Sequence, residues 1–187
     1  TLFSLVQIHP AFPTTVLQAL SYDSLFFWTA IFVSLLFLGL GVMAYRLTQQ
    51  AERWGLLLLV YFSALLVAAS ANLLILFIAL EMFFLLMILW MAFDNHGKQM
   101  TGVTIRLFLT GAFASAFMVF GMSFLFGVSG SLDIREIGYY ASHAPSFVYA
   151  FGLMMFLVGI FFKLSAVPFH HWAAEVYEDS NYPTLGL

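Results

Sequence analysis

Apolar positions in this chain gather into long charge-poor runs, and polar positions gather into short joints between them. The first run, residues 24–45, carries no charge. Further runs cover 54–71, 73–93, 103–128 and 147–166, with Glu81, Arg106 and Lys163 as their only charged side chains. A helix needs roughly 20 apolar residues to cross a bilayer. The pattern therefore predicts an all-α polytopic membrane protein with five transmembrane helices. Val167-Pro168 should break the chain after the fifth, because proline lacks an N–H and crowds the preceding turn.

The joints give the connections. Residues 1–23, punctuated by Pro10, Pro13 and Thr14-Thr15, read as an extracytoplasmic loop, and residues 2–8 fit either a short strand or the end of an earlier helix. Ser70-Ala71-Asn72 is so short that the second and third helices should form a tight hairpin. Residues 129–146 read as a loop holding Asp133, Arg135, Glu136 and His143. From His170 to Asp179 aromatic and acidic residues alternate, as in a short interfacial helix or loop. Residues 24–172 then make one five-helix unit, and 173–187 a cytoplasmic-side loop leading to a second half. The start at Thr1 and the apolar Leu185-Gly186-Leu187 end fit a piece of a longer protein.

Composition excludes the alternatives to a membrane. The 187 residues are 63% hydrophobic and 8% charged, whereas soluble domains carry about 25% charged residues. Mean hydropathy is +1.01. With 23 Phe, the low charge does not signal disorder. The net charge of −3 and the lack of any basic run argue against nucleic acid as a partner. The absence of cysteine excludes disulfides, thiolate zinc sites and Cys-ligated iron–sulfur clusters in this chain. Counting helices, Arg46, Arg53 and Lys98 fall on one side with Arg106 nearby, and only Arg135 on the other. The positive-inside rule makes the first side cytoplasmic.

Glu81 and Lys163 are the informative charges. Each costs on the order of 2.5–3.5 kcal/mol at a helix centre, and such residues usually face a bundle interior or wet cavity and mark ion pathways. Buried lysines release protons readily, and a nearby carboxylate opposes that release. A Glu–Lys distance that changes would load and unload a proton. The same pair also fits a static bridge that fixes helix packing, and helical phase alone does not bring separate helices together.

Other residues carry less. Arg106, about one turn inside its span, reads as snorkelling to headgroups, and Arg is not deprotonated in proteins. Gly111 with Ser115, and Ala112 with Ala116, are small-xxx-small pairs that let helices approach closely. Met82, Phe83, Phe84 and Met87 read as lipid-facing or packing residues. His170 and His171 point to different faces of a helix, so no metal site is expected from them. They read as an interfacial cap beside Trp172, with a second role as proton donors at the inner mouth. Glu175, Glu178 and Asp179 make an acidic mouth that would concentrate cations. No phosphate-binding loop, dinucleotide fingerprint or HExxH occurs, so any redox chemistry belongs to partner chains.

Gly159-Ile160-Phe161-Phe162-Lys163, followed by Pro168-Phe169-His170-His171-Trp172 and Glu175-Val176-Tyr177-Glu178, resembles a signature of the antiporter-like membrane subunits of respiratory complex I. Its F-K and P-F-H-x-W form is most similar to the subunit N branch. The stretch ANLLILFIALEMFFLLMILWMAF resembles the helix with the family's channel glutamate, and RLFLTGAFASAFMVFGMSFLFGVSGSL the helix after it. Many members carry Lys where Arg106 stands, Asp where Glu175 stands, and Gly-Ala-Pro-Thr-Pro in place of Asp179-Ser180-Asn181-Tyr182-Pro183.

The resemblance implies about fourteen helices built as two inverted five-helix repeats, of which this chain holds helices three to seven. It implies that Glu81 is the channel carboxylate and Lys163 the central lysine, with Arg106, His170 and His171 accessory. It also implies a proton-translocating subunit of a NADH–quinone oxidoreductase in an energy-transducing membrane, most simply a bacterial cytoplasmic (inner) membrane. NADH, FMN, iron–sulfur clusters and quinone would sit in partner subunits, and this chain would hold no cofactor. Its own partners would be membrane and peripheral subunits, lipid and protons. Two rival readings are a subunit of a multi-subunit sodium/proton antiporter and a passive scaffold of a membrane redox complex.

Overall fold

In the computed structural model, the described residues are 20, 24–47, 51–93, 98–144 and 146–179. They form seven helices: α1 (Ser24–Leu47), α2 (Ala51–Ala69), α3 (Leu73–Phe93), α4 (Lys98–Ser129), α5 (Ile134–His143), α6 (Phe147–Lys163) and α7 (His171–Asp179). The first four are long and apolar enough to cross a membrane; α6, with 17 residues, is a shorter apolar helix. Of the expected extracytoplasmic loop only Leu20 is described, in an antiparallel bridge with Ser70. The rest of that loop, His9, His96 and residues 180–187 lie outside the described residues.

Helices α2 and α4 begin at Ala51 and Lys98, ahead of the expected 54 and 103, and three further boundaries differ from expectation. The stretch 129–146 is not all loop, since α5 occupies most of it. Its Asp133 side chain accepts a hydrogen bond from the Arg135 amide at 2.8 Å, capping the helix. Asp133 with Glu136 three residues on is a helix-start pattern, and its period places Ile137 inward and buried. Residues 173–179, placed in a loop by the unit boundary although 170–179 also read as a short helix, belong to α7. The fifth span ends at Lys163 and not at 166.

The early end of α6 is a Schellman motif. Ser165 adopts φ 52°. Its amide donates to Phe162 O at 3.1 Å, and the Ala166 amide donates to Phe161 O at 2.9 Å. The last carbonyls are thus satisfied five residues before Pro168, and the proline follows a helix already closed. Val167-Pro168 is a cis peptide within a turn that the Phe169 amide closes onto Ala166 O at 2.7 Å.

The most extensive packing is α4 on α6. Glycines make it possible: a Cβ on Gly121 would lie 2.5 Å from Phe156 N and 2.6 Å from Gly152 O. Buried Met118, Met122, Leu125 and Phe156 fill the seam. Helix α3 packs on both α2 and α4. At one end of the bundle the α2–α3 and α4–α5 joints are tied by backbone. Leu73 N donates to Leu132 O at 2.8 Å, and Ile134 N to Ala71 O at 3.0 Å. Backbone groups at a membrane boundary need such partners. Helix α1 leans mainly on α2 and leaves Leu25, Trp28, Phe32, Leu35 and Leu38 exposed.

Candidate functional site

Three helices converge on Glu81. Its position on α3 is the ninth residue after a start set by Asn72, whose side chain accepts from the Leu74 amide at 2.9 Å. On α4, Gly111 faces Phe84 of α3 so closely that any Cβ there would collide with the ring. One turn on, Ser115 donates to Glu81 Oε1, in a very short hydrogen bond, while its hydroxyl also lies 2.9 Å from Gly111 O. The last residue of α6 supplies the cation: Lys163 Nζ stands 2.7 Å from the same Oε1.

Burial makes this pair unusual. The Lys163 side chain is 5% exposed and that of Glu81 22%. The Phe84 ring lies under the ammonium, with its centroid 4.4 Å away, a cation–π contact that partly replaces water. Lysine has three N–H donors. The contact with Glu81 is close but misaligned, and Nζ has no hydrogen-bond partner among the described residues. Its position at the C-terminus of α6 places it at the negative end of that helix's dipole.

A cavity of about 470 Å³ lies beside the ammonium, lined by Phe84, Met87, Leu107, Ile160, Lys163 and Trp172 among others. Its wall is held by Trp172, whose Nε1 donates to Phe162 O at 2.9 Å. The indole also meets Phe84 edge-on at 5.9 Å and Phe162 at 6.0 Å. Trp172→Phe keeps most of the aromatic contact and removes the donor. It is expected to cost about 1 kcal/mol, the net value of one hydrogen bond, read as faster amide exchange across α7 with α1–α4 unchanged.

Glu81 and Lys163 are therefore brought together, on non-adjacent elements. Arg106, His170 and His171 are exposed, and none of them lines the cavity beside Lys163. Arg106 and His171 instead line a second recess between α4 and the start of α7. The described residues contain no cluster of three or more metal-ligating side chains. Two members of the site were missed in the sequence. Ser115 was visible only as a small residue paired with Gly111, although a hydroxyl facing the Glu81 helix is a ready donor. Phe84 was assigned to packing or lipid and lies buried under the ammonium.

Residues 70–186 match the family described as NADH:quinone oxidoreductase/Mrp antiporter, TM. The chain belongs to that family. Among its relatives, NADH-quinone oxidoreductase subunit N 2 of Acidobacterium capsulatum is 35% identical over 140 residues, covering 75% of this chain and 28% of the relative. NADH-quinone oxidoreductase subunit N of Azoarcus sp. is 36% identical over 151 residues, 80% of this chain and 30% of the relative. The chain thus spans under a third of these curated relatives. The structure of respiratory complex I from Thermus thermophilus with bound Aureothin contains a chain that superposes with TM-score 0.66 and 29% identity. That match covers 86% of this chain and 35% of the other. In this NADH:quinone oxidoreductase/Mrp antiporter member, the matched region contains Glu81, Ser115 and Lys163 together with the break after α6.

Proposed function

We propose that this chain is the part of a subunit N-type membrane protein that carries protons for a redox-driven NADH–quinone oxidoreductase, using Glu81 and Lys163 as a proton-transfer pair. The observation that carries this is the 2.7 Å approach of a buried ammonium on α6 to a part-buried carboxylate on α3. Family membership and the subunit N relatives support the setting. A buried ion pair is weak evidence for stability, since well-packed apolar residues often hold a fold as well. Retaining charge here makes sense if the charge changes hands.

The geometry suggests how. In the close state the carboxylate stabilises the ammonium and Ser115 stabilises the carboxylate. When Lys163 swings into the adjoining cavity, it leaves Glu81 behind. Doubling a 4 Å separation removes about 2 kcal/mol of attraction at an effective dielectric near 20. The ammonium then has less to hold its proton, and an acceptor in the cavity, such as transient water, takes it. The neutral amine returns to Glu81 and is reloaded by a proton entering from the cytoplasmic side, while the released proton passes on toward the second half of the subunit. Arg106, which stays charged, would bias the inner mouth; His170 and His171 would relay there.

Electron transfer would take place in partner subunits holding NADH, FMN, iron–sulfur clusters and quinone, in a bacterial cytoplasmic membrane. The test is reconstitution of the complex containing the full-length subunit into proteoliposomes. NADH oxidation and proton uptake are followed together. Glu81→Gln should lower protons moved per electron, with quinone reduction still supported. An unchanged ratio would count against a working carboxylate. Purification with small antiporter subunits, and without NADH-oxidising ones, would favour the sodium/proton antiporter reading.

A further inference from the structure

The recess between α4 and the start of α7 is separate from the Glu81–Lys163 pair and has its own chemistry. It measures about 410 Å³ and is lined by Arg106, Leu109, Thr110, Pro168, Phe169 and His171, among others. Two cation-bearing or N–H-donating side chains, one from each helix, thus open into one largely apolar hollow. The hollow lies toward the end of the span that the positive-inside rule makes cytoplasmic, with Arg106 four residues inside the apolar stretch that begins at Gly102.

Thr110 does not compete for an external ligand as a donor, because its hydroxyl is committed to Arg106 O at 2.8 Å. Trp172 is likewise committed to Phe162 O and forms part of the wall. Helix α7, nine residues long, begins at His171, so the positive end of its dipole faces the same hollow.

The surface running away from Arg106 decides what fits. Leu109 and Phe113 follow Arg106 by three and seven positions, on the same face of α4, and are 60% and 68% exposed. At 1.5 Å per residue they lie about 4.5 and about 10.5 Å deeper in the bilayer. A cationic site near the cytoplasmic end of the span, with an exposed apolar track leading deeper along α4, matches one kind of molecule.

We infer that this recess binds the phosphate of an anionic membrane phospholipid, held by Arg106 and His171, with an acyl chain lying along Leu109 and Phe113. The lipid would brace the turn at Pro168-Phe169, which both walls share. Juxtamembrane cations attract anionic headgroups by about 1 kcal/mol each, or about fivefold in affinity.

The test uses the full-length subunit in its complex, in nanodiscs, with lipid retention read by native mass spectrometry. Phosphatidylglycerol and phosphatidylcholine of identical acyl chains are compared. Phosphatidylglycerol should be retained preferentially. Arg106→Gln should weaken it about fivefold, and His171→Gln, which exchanges a ring N–H for a differently placed amide, should weaken it by a smaller factor, with phosphatidylcholine unaffected. Arg106→Lys should keep most of the preference. If Arg106→Gln fails to assemble, Leu109→Trp, which fills the track and leaves both polar groups in place, should displace the lipid. Equal retention of both lipids, no change in either Gln variant, or inorganic phosphate competing as well as phosphatidylglycerol would overturn the assignment.

Discussion

Lys163→Met is expected to reduce proton movement through this subunit to background, the largest functional effect of any single change here. Methionine preserves the length and apolar stem of the side chain, so the contact with Phe84 and the adjoining cavity is kept. The charge is removed, and Glu81 is left in a mostly buried site with Ser115 as its remaining partner. Breaking one side of a buried pair costs about 3–5 kcal/mol, so the variant should also unfold at a lower temperature. That loss has two possible origins, and the double variant Glu81→Gln/Lys163→Met separates them. With both charges gone, the fold should regain most of its stability, because uncharged pairs of similar volume are often neutral replacements. Transport should stay at background. A static bridge predicts that transport returns with stability. Full pumping stoichiometry in assembled Lys163→Met would exclude a role for this lysine in proton transfer.

The second large effect is structural. Gly121→Val should prevent stable assembly, although glycine and valine are both apolar. The colliding atoms at Gly121 are backbone, Phe156 N and Gly152 O, and backbone does not move aside as a side chain does. Helices α4 and α6 must separate, and Met118, Met122 and Phe156 lose their mutual packing. Overpacking typically costs 1–3 kcal/mol, and contact with backbone places this case at about 3 kcal/mol or more. The readout is the yield and unfolding temperature of the purified protein. Gly127→Val on the same helix, where nothing lies within 4 Å of a Cβ, is the control and should assemble normally.

The membrane architecture was legible in the chain because hydrocarbon imposes a single rule, a long apolar run closed by its own hydrogen bonds. The third span, 73–93, agrees with α3 at both ends, since Asn72 caps one end and polar residues follow the other. Legibility failed where local backbone chemistry decided the matter. The end of α6 depends on Ser165 taking a left-handed conformation, which few non-glycine residues advertise. Helix α5 had a readable start in Asp133 and Glu136, but a polar stretch between spans looked like loop. At the site, the sequence offered Glu81 and Lys163 as two isolated charges. It held no information on their distance, which arises from packing three helices. Ser115 shows the same limit: the Gly111 pair that invites close approach also delivers a hydroxyl to the carboxylate, and only the crossing of α3 and α4 reveals it.

The backbone tie between the α2–α3 and α4–α5 joints has a consequence for what moves. It fixes α3 relative to α4, so Glu81 and Ser115 are set as a stator. The interlocked glycines clamp α6 to α4 in turn. Bending any of these helices to part the charges would tear hydrogen bonds or packing. On the proposed mechanism the part left to travel is the four-carbon stem of Lys163, which would make a single side chain the rotor and the indole of Trp172, tied to Phe162 O, its latch.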